Sequence, residues 1–382
     1  MLVAELKERI DRALASITPA ANARAAIDRR ADRRRQRRRI VLVPATLLVT
    51  ATIVAGLTYA FRTNPGPIRD DSAREAPQAG TRVFFAWINQ LTVVDVSAGT
   101  SQTVHVPELA AGDPPYFIAR RGDDLVFWGY STYALDAADP TADPVTLADD
   151  SWYFVPSARP DRVWVVIRDE AESTPQHYVF SGVREITTER EITAEGPAMG
   201  DAWMDGAVDA GVVFESRDGL VVWDPIEREV IRRFGTGPMA ASHGNTVVWC
   251  GDWCRELHFT DVLTGADRTV QPPDGFDRFD GWGGEFTPDG RLFAVPVGNP
   301  ARNEGPGAVA LFDVAVGVVE IIQGSEQERG VPTISWDPSG TRLFIAAATK
   351  QGHELRYFDV ATEHIQVAPV SLPDNFFAMA AA

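Results

Sequence analysis

Along this chain an aspartate recurs at the end of a short apolar run, followed by a turn of mostly small or polar residues and a second β-prone run. The six copies read VVDVSAGTSQTV from Val93, YALDAADPTADPVTL from Tyr133, VVWDPIEREVI from Val221, FTDVLTGADRTV from Phe259, ALFDVAVGVVEII from Ala310 and RYFDVATEHIQV from Arg356. Each follows another β run: VFFAWI, LVFWGY, GVVFES, NTVVWC, RLFAVPV or RLFIAAA. A small sheet that repeats about every 40 residues cannot bury its apolar face alone, so it stacks against its neighbours as the blades of a propeller do. At about 40 to 45 residues per blade, residues 81–382 fill seven. The expected fold class is all-β, a seven-bladed β-propeller.

An innermost strand for six blades is expected in PYFIAR from Pro115, SWYFVP from Ser151, DAWMDG from Asp201, PMAASH from Pro238, GGEFTP from Gly283 and PTISWDP from Pro332. The set that begins at Arg82 has none before it. After the last blade the chain carries NFFAMAAA from Asn375, an apolar strand with nothing of its own to follow. That segment is expected beside Val83 to Ile88, closing the ring and removing exposed sheet edges. The third blade is irregular, because its VWVVIR and HYVFSG strands lack the aspartate turn.

Net charge is −17 over 382 residues, unevenly divided. Residues 1–39 carry 12 Lys plus Arg against five Asp plus Glu, which leaves −24 on the rest. So acidic a body repels a phosphate backbone, and nucleic-acid binding by it is not expected. Residues 40–61, IVLVPATLLVTATIVAGLTYAF, contain no charge and as a helix would span about 33 Å, enough for a hydrocarbon core of about 30 Å. Eight arginines at residues 29–39 precede the run, and such an excess holds a flank in the cytoplasm. The expectation is a single-pass membrane protein, N-terminus inside and propeller outside. Residues 62–80, rich in Pro, Gly and charge, read as a flexible linker. Within residues 1–39, the segment 2–17 places Val3, Leu6, Ile10, Ala13, Leu14 and Ile17 at helical spacing, an amphipathic helix expected to dock on a cytoplasmic protein, a second copy or the inner leaflet.

Two inner turns carry further identity: GEFTPDGRLFAVPV from Gly284 and ISWDPSGTRLFIAAA from Ile334. Proline presets φ at the second turn position, and Gly290 or Gly340 takes the left-handed position. These residues resemble the repeats of TolB-like and WD-repeat-like propellers, in which an aromatic, a Ser/Thr-Pro-Asp-Gly turn and an apolar strand follow one another. Trp223-Asp224 is a literal Trp-Asp pair. The resemblance implies a platform for binding protein or small ligands, not a catalyst.

Chemistry-bearing clusters are few. Cys250 and Cys254 bracket Gly-Asp-Trp between two strand-like runs, as if facing each other across a three-residue hairpin loop, and outside the cytoplasm a disulfide is expected there. Trp253 at the tip is the tryptophan expected to be exposed, a candidate binding contact. Trp87, Trp128, Trp164, Phe214 and Trp249 recur at equivalent strand positions and read as packing between blades. Cys250, Cys254 and His258 have helical metal-face spacing, but the flanking residues are strand-like and Gly251 disfavours a helix. Asp274, Asp277 and Asp280 do not match the spacing of a calcium loop. No Gly-x-Ser-x-Gly elbow, sialidase repeat or complete quinoprotein repeat occurs. No catalytic residue, metal or cofactor is expected. The leading expectation is a membrane-anchored extracytoplasmic propeller that binds a protein or cell-envelope ligand; the alternative is an envelope hydrolase or quinone-dependent oxidoreductase on the same scaffold.

Overall fold

The computed structural model describes residues 81–382 except 111–117, 129–130, 150, 158–161, 169–179, 188–190, 196–202, 217–218, 282, 299–306, 318, 328–329, 374–375 and 377. The expected cytoplasmic helix at 2–17, the transmembrane helix at 40–61 and the linker at 62–80 lie outside the described residues. Among the described residues no helix is long and apolar enough to cross a membrane.

Seven antiparallel sheets follow one another, the blades of the expected propeller. Blade 2 shows the pattern: an inner strand Ile118–Arg121, then Asp124–Trp128, Thr132–Asp136 and an outer strand Val145–Ala148, each paired with the one before. Blade 4 runs Trp203–Val208, Gly211–Ser216, Gly219–Asp224 and Glu229–Phe234; blade 5 runs Met239–His243, Thr246–Gly251, Glu256–Asp261 and Asp267–Val270. Antiparallel order puts the inner-to-second and third-to-outer turns on one face, with second-to-third turns and blade-to-blade connections on the other. All six aspartate turns therefore share a face.

Blade 1 takes its inner strand, Ala378–Ala381, from the far end of the chain, as expected. The register pairs Val83 with Ala381, Phe84 with Ala380, Phe85 with Met379 and Ala86 with Ala378. Phe376 packs edge-on against Phe85, ring centroids 5.0 Å apart; Phe377 is outside the described residues. Alternation of period two explains the packing, because successive side chains leave opposite faces of a strand. Phe84 and Ala86 point into the core shared with blade 2, whereas Val83 and Phe85 point into the core shared with blade 7. The same division gives seven apolar clusters, one at each blade boundary. Trp164, Phe214 and Trp249 are buried in these clusters, Trp128 is half-buried against them, and Trp87 is half-buried.

Side chains also lace the inner strands together. The Tyr153 hydroxyl of blade 3 accepts the Met204 amide of blade 4 at 2.6 Å, and Ser242 of blade 5 donates to the Ala207 carbonyl of blade 4 at 2.7 Å. Glu285 of blade 6 accepts the Trp336 amide of blade 7 at 3.2 Å, and Ser335 Oγ accepts the Ala381 amide of the closing strand at 3.1 Å. Burial pushes the Tyr153 hydroxyl far above its ordinary range, so it stays protonated.

Two local expectations need correction. In blade 3 the third strand is Phe180–Thr187 rather than HYVFSG alone, and Glu191–Glu195 forms an outer strand that was not foreseen. Buried Val183 and Ile186 carry the strand beyond Gly182. The inner edge of blade 6 is two short pieces, Arg278–Phe279 and Glu285–Phe286, both paired with Leu292–Gly298. The intervening glycine-rich stretch carries no side-chain ladder of its own to continue the strand.

Candidate functional site

The six recurring aspartates are the most frequent ionisable feature of the blades, and their geometry assigns them to structure. Asp224 Oδ1 accepts the amides of Ile226 and Glu227; Asp261 Oδ1 accepts those of Leu263 and Thr264; Asp313 Oδ1 those of Ala315 and Val316; Asp359 Oδ1 those of Ala361 and Thr362. Asp95 and Asp136 do likewise for Ala98 and Ala138. Each carboxylate mimics a backbone turn. A side-chain bond from Ser97 holds Asp95 below the usual carboxylate range, and a backbone bond from Thr264 does so for Asp261. Asp261→Ala should cost about 1 kcal/mol, read by chemical denaturation. Because these pKa values are depressed, the contribution is present above about pH 4 and lost as pH falls through the folded values; an alanine variant that lost nothing at pH 7 would contradict the turn assignment.

The tip of the second hairpin of blade 5 is different. The register ends with Cys250 opposite Leu257 and Gly251 opposite Glu256, so four residues, 252–255, form the loop rather than three, and Cys250 pairs with a residue inside it. Cys250 and Cys254 are joined by a disulfide, their Cα atoms 4.5 Å apart. Asp252, Trp253 and Cys254 all have positive φ, at 42°, 59° and 63°. For non-glycine residues each such conformation costs about 1 to 2 kcal/mol, so something must hold three in a row. Both cysteines are buried in the core shared with blade 6. A Cβ on Gly281 would lie 2.7 Å from Cys254 Sγ, so only glycine lets the next blade close over the bridge. The Cys250 amide is fixed by the Pro238 carbonyl at 2.9 Å.

The result is that Trp253 is 85% exposed on an anchored loop. Asp252 and Arg255 flank it as an exposed ion pair of 3.6 Å, which contributes little to stability. Behind the loop His258 stacks on Trp249, 4.1 Å between centroids and 13° between planes, and lies 2.8 Å from Asp267 and 3.3 Å from Glu256. Both cysteine sulfurs are spent on the bridge, so the spacing of Cys250, Cys254 and His258 is not that of a ligand set. Asp280 lies beside Gly283, and its amide donates to the Pro296 carbonyl.

Two half-buried carboxyl groups on inner strands escaped the sequence reading. Desolvation in the inner ring raises Glu285 from 4.5 to about 8, despite its bonds from Trp336 and Ser335. Burial likewise raises Asp205, which shares a hydrogen bond with Glu215. Asp205 is the extra residue of a β-bulge between Met204 and Gly206, which turns it off the strand's normal alternation. The available signal was a charge within an otherwise apolar inner strand, in GGEFTP and DAWMDG.

No protein-family model matches the chain, and no curated protein resembles it at a significant level. Solved structures do. TolB from Acinetobacter baumannii is 13% identical over 80% of this chain and 67% of that one, with a TM-score of 0.45. AztD from Citrobacter koseri is 12% identical over 79% and 98%, with a TM-score of 0.46. A functionally unknown protein from Desulfotomaculum acetoxidans DSM 771 is 12% identical over 78% and 98%, with a TM-score of 0.50. At such identities the likeness is one of fold. The seven-bladed propeller has TolB-like structural neighbours, and fold alone does not carry function.

Proposed function

We propose that this chain is a membrane-anchored propeller displayed outside the cytoplasm, where it binds a protein or cell-envelope ligand, and that its N-terminal helix links it to a cytoplasmic partner. The observation that carries the binding half is Trp253: a large aromatic held in the open, on a strained loop fixed by a buried bridge, is pre-organised for contact. Location is supported by the oxidised cysteine pair, which persists in oxidising compartments, and by the uncharged run at 40–61 behind its arginines. Glu285 is engaged in lacing blades 6 and 7, and Asp205 in a pair with Glu215, so the binding reading is preferred to the enzymatic one.

In cells producing the full-length protein, a photo-cross-linking residue at position 253 is expected to yield a discrete adduct. One at Val145, 64% exposed on an outer strand, is expected to yield none; equal yields from both positions would count against the tip. Trp253→Ala should weaken capture of that partner about tenfold or more. Maleimide should label Cys250 and Cys254 in denatured protein from intact cells only after reduction. Labelling without a reductant would remove the support for an extracytoplasmic propeller. A failure of residues 1–39 to recruit any cytoplasmic protein would remove the signalling link alone.

A further inference from the structure

On the face of the aspartate turns, opposite the Trp253 tip, a cleft of about 330 Å³ lies between blades 1 and 2, lined by Arg82, Arg120, Asp123, Ala137, Ala138 and Ala382. Each of its two arginines is held through one guanidinium nitrogen and keeps other donors unused. Arg82 Nη1 donates to the carbonyl oxygens of Ala137 and Ala138 at 2.8 and 2.7 Å. Those bonds aim the guanidinium across the blade boundary, and its Nε and Nη2 have no acceptor among the described residues. Arg120 Nε donates to the Gly122 carbonyl at 2.6 Å, while its Nη2 stands 3.7 Å from Asp123, too far for a hydrogen bond. Asp123 is itself fully exposed, so it screens Arg120 weakly.

Burial strips water from the Arg120 guanidinium and lowers its pKa, although arginine remains charged. A desolvated cation with unused donors is best satisfied by an anion that meets it fork to fork, as a carboxylate or phosphate does. The exposed Ala138 side chain beside the forks is apolar and offers phosphate nothing, whereas it fits the hydrocarbon of an organic acid; the Ala137 methyl is taken up by the core between blades 1 and 2. A cleft of this volume is at the lower end of ligand-pocket sizes, so the guest is small. Residues 40–382 carry −24; Asp95 and Asp139 feel Arg82, and Asp123 and Asp337 feel Arg120, so an anion is drawn by short-range bonds to the two guanidinium groups rather than by a positive field, and binding will depend on salt.

We propose that this cleft binds a small organic carboxylate, gripped between Arg82 and Arg120 with its carbon chain against Ala138. The test is titration of the full-length protein with succinate, followed by calorimetry or ligand-observed NMR. Saturable binding is expected, weakened about tenfold or more by Arg120→Gln. Asp123→Asn, which removes the exposed carboxylate 3.7 Å from Arg120 and with it a competitor for that guanidinium, should tighten it about threefold at low salt. Inorganic phosphate should bind more weakly than succinate. The proposal is overturned by absence of saturation, by succinate affinity unchanged in both variants, or by phosphate binding as tightly as succinate. None of these outcomes involves Trp253, so failure here leaves the binding tip on the other face untouched.

Discussion

Replacing Glu285 by glutamine is expected to stabilise the propeller, and to do so increasingly as pH rises. The carboxyl is half-buried in the inner ring, where desolvation pushes it up to about 8 from 4.5. Below pH 4.5 it is neutral in folded and unfolded chains and contributes no pH dependence. Between 4.5 and 8 the unfolded chain ionises while the folded one holds its proton, so stability falls by about 1.4 kcal/mol per pH unit at most. Above 8 both states are ionised and the slope from this group ends. Glutamine keeps the shape and can still accept the Trp336 amide, but it has no proton to lose. Unfolding by denaturant at pH 5, 6.5 and 8 should show the variant gaining roughly 3 to 5 kcal/mol on the parent across that range. A gap that stays constant with pH would mean that Glu285 is ionised in the folded ring. Glu285→Ala should instead destabilise at every pH, because it leaves a cavity and removes the acceptor for the Trp336 amide.

How far the sequence disclosed this molecule follows from which interactions leave a period behind. Blade number and ring closure were legible because a strand with both faces buried must be apolar along its length, as in VFFAWI, and because NFFAMAAA had no partner of its own. The aspartates were legible as turn formers because the Asx bond needs the same residue at the same offset each time. Pairing of Cys250 with Cys254 followed from their separation, but the loop was misjudged by one residue. That difference moves Cys254 from the facing strand into the tip and imposes three left-handed residues, which no local propensity announces for Asp-Trp-Cys. The lacing of inner strands by Tyr153, Ser242, Glu285 and Ser335 joins residues tens of positions apart and has no periodic trace. Arg82 and Arg120 were invisible for the same reason, since Arg82 meets its carbonyl partners 55 and 56 residues away.

The closing strand carries the largest expected effect. Removing residues 373–382 would expose one edge of Arg82–Trp87, the second strand of blade 1, and open two apolar clusters at once, those shared with blades 2 and 7. Ala378, Met379, Ala380 and Ala381 are each no more than 9% exposed, and Phe376 leaves Phe85 with them. The Arg82–Ala382 pair exchanges two backbone bonds of 2.9 Å, and the Ala381 amide loses Ser335. Each lost element is modest, but together they exceed the roughly 5 to 15 kcal/mol by which a domain is stable. The truncated protein should therefore fail to fold, or aggregate through its bare edge. A single substitution separates ladder from side-chain burial. Antiparallel pairs alternate between bonded and non-bonded, so with Arg82–Ala382 bonded the next bonded pair is Phe84–Ala380. Ala380→Pro removes that amide and should cost about 3 kcal/mol or more, whereas Ala381→Pro, whose amide faces Ser335, should spare the ladder bond and cost less. Thermal unfolding of the two variants side by side would decide it. Equal losses would place the seam's strength in packing alone, and a truncated chain that still unfolds cooperatively near the parent's temperature would refute closure by this strand.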